Sequence, residues 1–249
     1  MTERVNFRGA IPGEPEAALA LAPLRLGPNE RAAVGDGACD TLLLVHAGSG
    51  TLDGVPFAAV SSLHVAAGRT AELTAGHRGL EAVMCTIGSA VDLHAPFGPA
   101  AAIVAAESAQ QGTATGARSF QVLHGPANGS TRATAFIGFI PPGKAPRHYH
   151  LYDEIVWVLA GEGRLHLEGE PEPLAPGSAF RLHPRERHIV ENTSAGDPLT
   201  VVGFFTPAGS PSAAYLDPDV AAAYHLARSV PAEREMRATR TVPPRSDGR

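Results

Sequence analysis

One segment in the first half of the 249-residue chain recurs in the second half. Residues 44–52 read LVHAGSGTL, and residues 157–165, at an offset of 113 positions, read WVLAGEGRL. A repeat with so long a period indicates that one structural unit occurs twice. The chain is long enough for two domains of about 100–120 residues each. We therefore expect two similar domains in tandem.

The apolar residues of both halves are grouped in short runs that end at turns. Glycine (27 residues) and proline (22 residues) are abundant, as tight turns between many strands require. Because the runs are too short for helices, we expect β-strands at residues 41–46, 55–60, 63–67, 80–87, 133–140, 155–159, 164–167, 179–182, 188–191 and 199–205. A short C-terminal helix is expected at residues 217–228, with Asp217 as N-cap and Pro218 in the first helical position.

Three histidines and one glutamate in the second half have the spacing of a metal site. Successive side chains of a strand alternate between its faces, so His148 and His150 share one face. Glu154 has the same parity and joins them if the turn between them keeps the register. His188 has to arrive from a neighbouring strand. Neutral imidazoles with one carboxylate suit Fe(II), Mn(II), Ni(II), Cu(II) or Zn(II) rather than calcium or magnesium. We expect these four residues to bind one divalent metal, since each polar group buried without a partner costs about 1–3 kcal/mol.

The residues around this set resemble the two sequence motifs of the cupin superfamily. The first motif is matched, in residue type and spacing, by Gly143, His148, His150, Glu154 and Gly161. The second motif is matched by Pro176, Gly177, Pro184, His188 and Asn192. The chain departs from it in two turns, at Ser178 and at the pair Arg185-Glu186. The resemblance covers about residues 131–206 and implies an all-β fold, with two antiparallel jelly-roll barrels in tandem once the repeat is included.

The first half resembles a cupin barrel that lacks the ligands. Sliding the first motif back by the repeat offset places its ligand positions on Gly35, Gly37 and Thr41, and the second motif places the fourth on Ala71. We therefore expect a bicupin with a metal motif in its C-terminal barrel only. The expected domains are a metal-free N-terminal barrel at residues 1–110, a C-terminal barrel with the metal site at residues 111–230, and a flexible tail at residues 231–249.

Two residues near the predicted ligands are candidates for a part in catalysis. Tyr152 has the parity of Glu154, so its hydroxyl is expected to face a bound substrate, although packing at the barrel rim explains it equally well. Arg181 is a candidate for binding a substrate carboxylate, as is Arg147, and a surface ion pair is the alternative for each. Trp157 has the opposite parity to Glu154, and we expect it to pack between barrels or subunits.

The resemblance leaves three kinds of function open. We expect first a dioxygenase-type oxidoreductase that acts on a small organic substrate with Fe, although Mn, Ni, Cu or Zn also fits the ligands. The second hypothesis is a non-redox isomerase, lyase or hydrolase, in which the metal polarises a carbonyl. The third is a non-catalytic module that binds a sugar-like or other small ligand and whose metal is structural. The barrel fold alone does not choose among them, because it carries unrelated chemistries.

Composition limits the partners. The net charge is −5 and the globular part has no basic block, so we expect no nucleic-acid partner. The sequence has no apolar run near the roughly 20 residues of a membrane helix and no recognisable secretory leader. Its two cysteines are too few for a disulfide scaffold. We expect a cytoplasmic protein with a small-molecule substrate, and a homodimer is compatible with the sequence.

Overall fold

The computed structural model describes residues 4–14, 18–35, 37–90, 92, 95–114 and 117–216. The strands of the first half are β1 (Leu19–Leu26), β2 (Arg31–Val34), β3 (Asp40–Leu52), β4 (Val55–Ala58), β5 (Ser61–Val65), β6 (Ala71–Ile87) and β7 (Ile103–Ala105). Those of the second half are β8 (Gln111–Thr113), β9 (Ser119–His124), β10 (Thr134–Ile140), β11 (Gly143–Lys144), β12 (His148–Tyr149), β13 (Asp153–Ala160), β14 (Gly163–His166), β15 (Glu172–Leu174), β16 (Ala179–Leu182), β17 (Ile189–Asn192), β18 (Leu199–Thr206) and β19 (Tyr215–Leu216). Two short 3-10 helices cover Ala106–Ser108 and Pro126–Asn128.

The two halves form antiparallel jelly-roll barrels, which confirms the predicted fold class. The sheet of the first half has the strand order β1-β6-β3-β5-β7, and the larger sheet of the second half has the order β16-β13-β18-β10-β9-β8. The run β1-β6-β3-β5 therefore corresponds to β10-β18-β13-β16. The predicted C-terminal helix at residues 217–228 lies outside the described residues. No helix in the described part of the chain is long and apolar enough to cross a membrane.

The repeated Gly-x-Gly segment is a bend that both barrels need. Gly48 and Gly161 have φ angles of +83° and +86°, a region that favours glycine. A side chain at Gly50 would collide with the carbonyl oxygen of Thr74, and one at Gly163 with that of Glu191. Both copies therefore need two glycines. The first allows the sharp turn of the backbone, and the second allows it to pass close to a neighbouring strand.

The alternating side chains of the central strands separate two kinds of core. In β3, Leu43 and Val45 face the interior of the first barrel, and in β13, Val156 and Val158 face the interior of the second. The opposite faces of both strands meet in a shared cluster, which includes Leu42, Leu44, Ile155, Trp157 and Phe204. Trp157 packs there against His46, with ring centroids 4.8 Å apart, as its parity predicted. The barrels therefore pack sheet against sheet.

Each barrel also receives a strand-like segment from the chain that precedes the other barrel. Asn6 exchanges two backbone hydrogen bonds of 2.8 and 2.9 Å with Ala179 on β16, and Val5 is buried in the core of the second barrel. In the equivalent place on the first barrel, β7 pairs with β5. The first described residues therefore pack on the C-terminal barrel, although the sequence analysis included them in the N-terminal domain at residues 1–110.

Candidate metal centre in the C-terminal barrel

Three strands bring the predicted ligands to one end of the second barrel. His148 lies in β12, and its backbone forms an antiparallel bridge with His188, through hydrogen bonds of 2.9 and 3.2 Å. The turn that precedes His188 is tied to His150, whose carbonyl oxygen accepts a 2.7 Å hydrogen bond from Arg185. Glu154 follows at the start of β13. The backbone alone therefore fixes the relative positions of the three histidines.

The side chains of all four residues are buried and meet in the barrel interior. The ring centroid of His188 lies 4.3 Å from that of His148 and 5.1 Å from that of His150. Glu154 places Oε2 2.9 Å from Nε2 of His150. Gly203 on β18 leaves the space for this carboxylate, because a Cβ there would lie 2.8 Å from Oε1 of Glu154. Gly203 belongs to neither motif, so its part in the site could not be predicted from the sequence.

Each of the three histidines has its ring orientation fixed by a backbone carbonyl. Nδ1 of His148 donates to the carbonyl of Pro146 (2.8 Å), Nδ1 of His150 to that of Tyr152 (2.9 Å), and Nδ1 of His188 to that of Glu186 (2.9 Å). A neutral imidazole that donates from Nδ1 carries its lone pair on Nε2. Metal-binding histidines are commonly oriented in this way, by a hydrogen bond from the other ring nitrogen.

Burial keeps two of these rings neutral. Desolvation lowers the pKa of His148 to about 2, and the neighbouring His188 lowers it further than burial alone would. The pKa of His188 is lowered to about 4, again mainly by desolvation and then by His150. Neutral imidazole is the form that binds a metal, because the lone pair of Nε2 must be available.

The donor set fits a metal, but the side chains are not arranged around one. Nε2 of His150 is buried without a hydrogen-bond partner, although Oε2 of Glu154 lies 2.9 Å away. Such an atom is costly unless something binds it. As the side chains stand, however, no three His, Cys, Asp or Glu residues in the described ranges form a group able to hold a metal ion. The centre of three histidines and one glutamate therefore remains a prediction.

The two predicted catalytic residues have different surroundings. Tyr152 lines the same pocket and stacks on the ring of His150, with centroids 4.1 Å apart. Arg181 does not line it. Its guanidinium is buried on the other face of the sheet, where it donates to Asp153 (2.7 Å) and to the backbone carbonyls of Leu19 (2.6 Å) and Pro12 (3.2 Å). The assignment of Arg181 to substrate binding is corrected accordingly, because these partners occupy it between the barrels.

The pocket above the histidines has a volume of ≈ 90 Å³ and a mostly apolar lining. Phe136, Val156 and Leu182 contribute to the wall, and Pro211 and Ser212 reach over it from the segment after β18. That segment ends in β19, which pairs with β12 so that Tyr215 stacks on Tyr149 at a centroid distance of 5.5 Å. The chain beyond the second motif therefore helps to enclose the pocket.

One charged pocket residue, Arg118, was missed by the sequence reasoning. Arg118 precedes β9 in the connection between the barrels, and its Nη1 donates to Nε2 of His148 over 3.3 Å. Nothing in its local sequence distinguishes it from an ordinary surface arginine. Arg147, which was named with Arg181 as a candidate for binding a substrate carboxylate, is exposed.

In the first barrel, the described residues at the equivalent positions differ from the four predicted ligands. Thr41 is buried there with the parity of Leu43 and Val45, and the interior around it is packed with aliphatic side chains. The four positions at the repeat offset carry no imidazole or carboxylate: Gly35, Gly37, Thr41 and Ala71.

Comparison with known proteins agrees with this architecture. Residues 136–205 match the Cupin domain family. Over 45 residues, or 17% of its length, the chain is 47% identical to an L-ectoine synthase of Mycolicibacterium vanbaalenii. The match spans about a third (35%) of the length of that curated relative.

Solved oxalate decarboxylases have a similar fold. The Lactobacillus farciminis enzyme, in a formate complex, aligns over 85% of both chains with a TM-score of 0.66 and 12% identity. A mutant of the Bacillus subtilis enzyme aligns over 81% of this chain and 71% of its own with a TM-score of 0.63 and 14% identity, and a further structure of that enzyme concerns its Mn(II) centers. At such low identity the likeness concerns the fold alone. Residues 136–205 therefore match the Cupin domain family, within a chain whose two-barrel fold is similar to that of the oxalate decarboxylases.

Proposed function

We propose that this protein is a metal-dependent enzyme that transforms a small organic substrate in the pocket of its C-terminal barrel. The observation that carries the proposal is the common orientation of His148, His150 and His188. Each donates from Nδ1 to a backbone carbonyl and so keeps the lone pair of Nε2 for a ligand. Glu154 supplies the carboxylate beside them.

The residues that would hold the metal are these three histidines and Glu154. A divalent ion bound there would supply a Lewis acid and a template for the reacting atoms. The chain itself supplies the surroundings. Phe136, Val156 and Leu182 exclude water from the pocket, and the hydroxyl of Tyr152 is the candidate for holding or passing a proton at the substrate. Burial raises the pKa of Tyr152 above its usual value, so this hydroxyl stays protonated and can donate.

The reaction that we propose first is a dioxygenase-type oxidation with iron as the metal. Three neutral imidazoles and one carboxylate are ligands that Fe(II) accepts, and an apolar wall limits side reactions of the substrate with water. The small volume of the pocket restricts the substrate to a compact molecule.

A second candidate is a non-redox lyase, isomerase or hydrolase. The local similarity to an L-ectoine synthase favours it, and the Mn(II) named for the Bacillus subtilis decarboxylase makes manganese a second metal to test. For this candidate function, the residues of the pocket would orient a substrate carbonyl toward the metal, and Tyr152 would transfer a proton.

Oxygen uptake separates the two candidates. The full chain is loaded with Fe(II) or Mn(II) without oxygen and then incubated with small organic acids, alcohols and amides, with an oxygen electrode and product analysis as readouts. Oxygen uptake that requires both a substrate and His188 supports the oxidation, and turnover without uptake supports the second candidate. Tight binding of a small molecule with no turnover by either metal form would contradict the proposed enzyme and favour a binding module. Thr41→Ala, in the other barrel, is the matched control.

A further inference from the structure

The ring of Phe136 covers two glycines on the inner face of the sheet that lines the C-terminal pocket. Phe136 lies opposite Gly203 in the register of β10 and β18, and Gly138 follows it on the same face of β10. A Cβ at Gly203 would collide with Cε1 and Cζ of the ring, and one at Gly138 would lie 3.3 Å from Cε2. The ring therefore spans both glycines, and its close approach to the backbone of β18 requires a glycine at position 203.

The same ring borders the predicted ligands. The point that a Cβ at Gly203 would occupy also lies 2.8 Å from Oε1 of Glu154, so the ring edge and this carboxylate are neighbours above one glycine. On another side, Phe136 packs edge-on against Phe205, with ring centroids 5.9 Å apart, and Phe205 stacks on Tyr152 at 4.1 Å. These contacts hold the ring between the sheet and the cavity that it lines.

The ring of Phe136 limits the size of this cavity. The cavity volume is ≈ 90 Å³, and since about 10–15 Å³ is enough for one water, the space holds a molecule of roughly six to nine non-hydrogen atoms. Truncating Phe136 to alanine would add the space of one phenyl ring, because Gly203 and Gly138 have no side chains to fill it. In the unaltered chain the ring cannot give way, since its neighbours are close-packed.

We propose that Phe136 is a specificity-determining residue that limits the C-terminal pocket to substrates no larger than a single ring. This inference rests on the proposed function, since it names the size class of the substrate for the same site. The ring of Phe136 occupies the space that a second ring of a substrate would need, and the two glycines allow it to lie there.

Calorimetric titration of the full chain tests the assignment, with phenol as the one-ring probe and 2-naphthol as its two-ring counterpart. The unaltered protein is expected to bind phenol at least about tenfold more tightly than 2-naphthol, because a closed apolar pocket discriminates strongly by size. In Phe136→Ala we expect 2-naphthol to bind at least about tenfold more tightly than in the unaltered chain. Phe136→Leu should change the affinity in the same direction but by less, and it carries the test if Phe136→Ala does not fold.

Gly138→Ala tests the opposite direction. The added methyl group would press on the ring of Phe136 and on Val201, at 3.3 and 3.1 Å, so the ring must shift. Phenol is therefore expected to bind several-fold more weakly in this variant than in the unaltered chain.

Phe204→Leu is the matched control, because it removes a buried ring from the opposite face of β18, in the core that the barrels share. It should keep the preference for phenol. An unchanged affinity for 2-naphthol in Phe136→Ala would overturn the assignment, and so would an equal gain in Phe204→Leu or the absence of phenol binding in all these proteins. Both probes are titrated with the Mn(II)-loaded and the metal-free chain. The failure of the proposed function is a separate result, seen as no metal uptake, and selection by ring size in the metal-free chain would then still support Phe136.

Discussion

At the residue scale, Arg181 joins the two barrels. Its guanidinium forms a 2.7 Å ion pair with Asp153, and it also donates to backbone carbonyls of Leu19 and Pro12. Arg181→Ala would leave Asp153 buried without its partner, and breaking a buried pair in this way costs about 3–5 kcal/mol of unfolding free energy. Urea unfolding followed by fluorescence or circular dichroism measures this loss.

The control for that variant is Arg164→Ala, since Arg164 is exposed on β14 and its removal should change the free energy of unfolding by less than about 0.5 kcal/mol. Metal content should be the same in both variants, because Arg181 lies outside the pocket. Loss of less than about 1 kcal/mol in Arg181→Ala would show that the pair does not hold the barrels together.

His124 makes the free energy of unfolding depend on pH. It is the last residue of β9 and is fully buried, with Nδ1 accepting from Ser62 on β5 (2.7 Å) and Nε2 donating to the carbonyl of Ala101 (3.1 Å). Desolvation, and then the neighbouring His64, lower its pKa to about 3. The unfolded chain, with a histidine pKa near 6.5, therefore binds more protons between these values. Stability is complete above about pH 6.5 and falls as the pH decreases toward about 3.

We expect His124→Gln to flatten this dependence, although it does not abolish it, because His148 and His188 also have lowered pKa values. Urea unfolding at a series of pH values from 7 to 4 gives the slope for each protein. A variant at the exposed His77 serves as the control and should keep the original slope. Identical slopes for His124→Gln and the unaltered chain would contradict this account.

At the element scale, the carboxylate of Glu172 helps to hold the N-terminal segment on the second barrel. Glu172 accepts hydrogen bonds from the backbone of Arg4 (2.9 Å) and Val5 (2.7 Å), and Arg4 also pairs with Glu186 at 2.9 Å. Glu172→Ala leaves these donors without their acceptor and should cost about 1–3 kcal/mol. Limited proteolysis should then cut near residue 5 sooner.

Glu172→Gln keeps an acceptor and should lose less than Glu172→Ala, whereas Glu170→Ala removes a neighbouring exposed carboxylate and should change nothing. If Glu172→Ala resists proteolysis as well as the unaltered chain does, the segment is held by the burial of Val5 instead.

An element could be predicted from the sequence when the interactions that form it are local. Alternation of side chains within one strand predicts the positions of β3 and β13. The same alternation predicts that Glu154 and Trp157 point to opposite faces. Arg118 contacts His148 from 30 positions away, and Arg4 contacts Glu172 from 168 positions away. Such contacts depend on the closure of the barrel, which no local pattern encodes. Arg181 was misassigned for the same reason, since the backbone carbonyls of Leu19 and Pro12 that it binds come from the other half of the chain.

At the scale of the whole molecule, one barrel is filled and the other is open at one end. The first barrel packs aliphatic side chains where the second brings together three histidines and a glutamate. The shared cluster around Trp157 and Phe204 joins the two sheets and lets the first barrel support the strands that carry the candidate centre. We therefore expect metal binding to be a property of the second barrel alone, with the first barrel as its scaffold.

The measurement that tests this claim most directly is elemental analysis of the full chain after anaerobic reconstitution and removal of loose metal, for the unaltered protein, His188→Ala and Thr41→Ala. We predict about one transition metal ion per chain in the unaltered protein and in Thr41→Ala, and almost none in His188→Ala, because the ion binds only the folded ligand set. The metal-bound proteins should also unfold at a higher temperature than the same proteins without metal. An unaltered protein that takes up no metal, or equal metal in His188→Ala, would contradict the account.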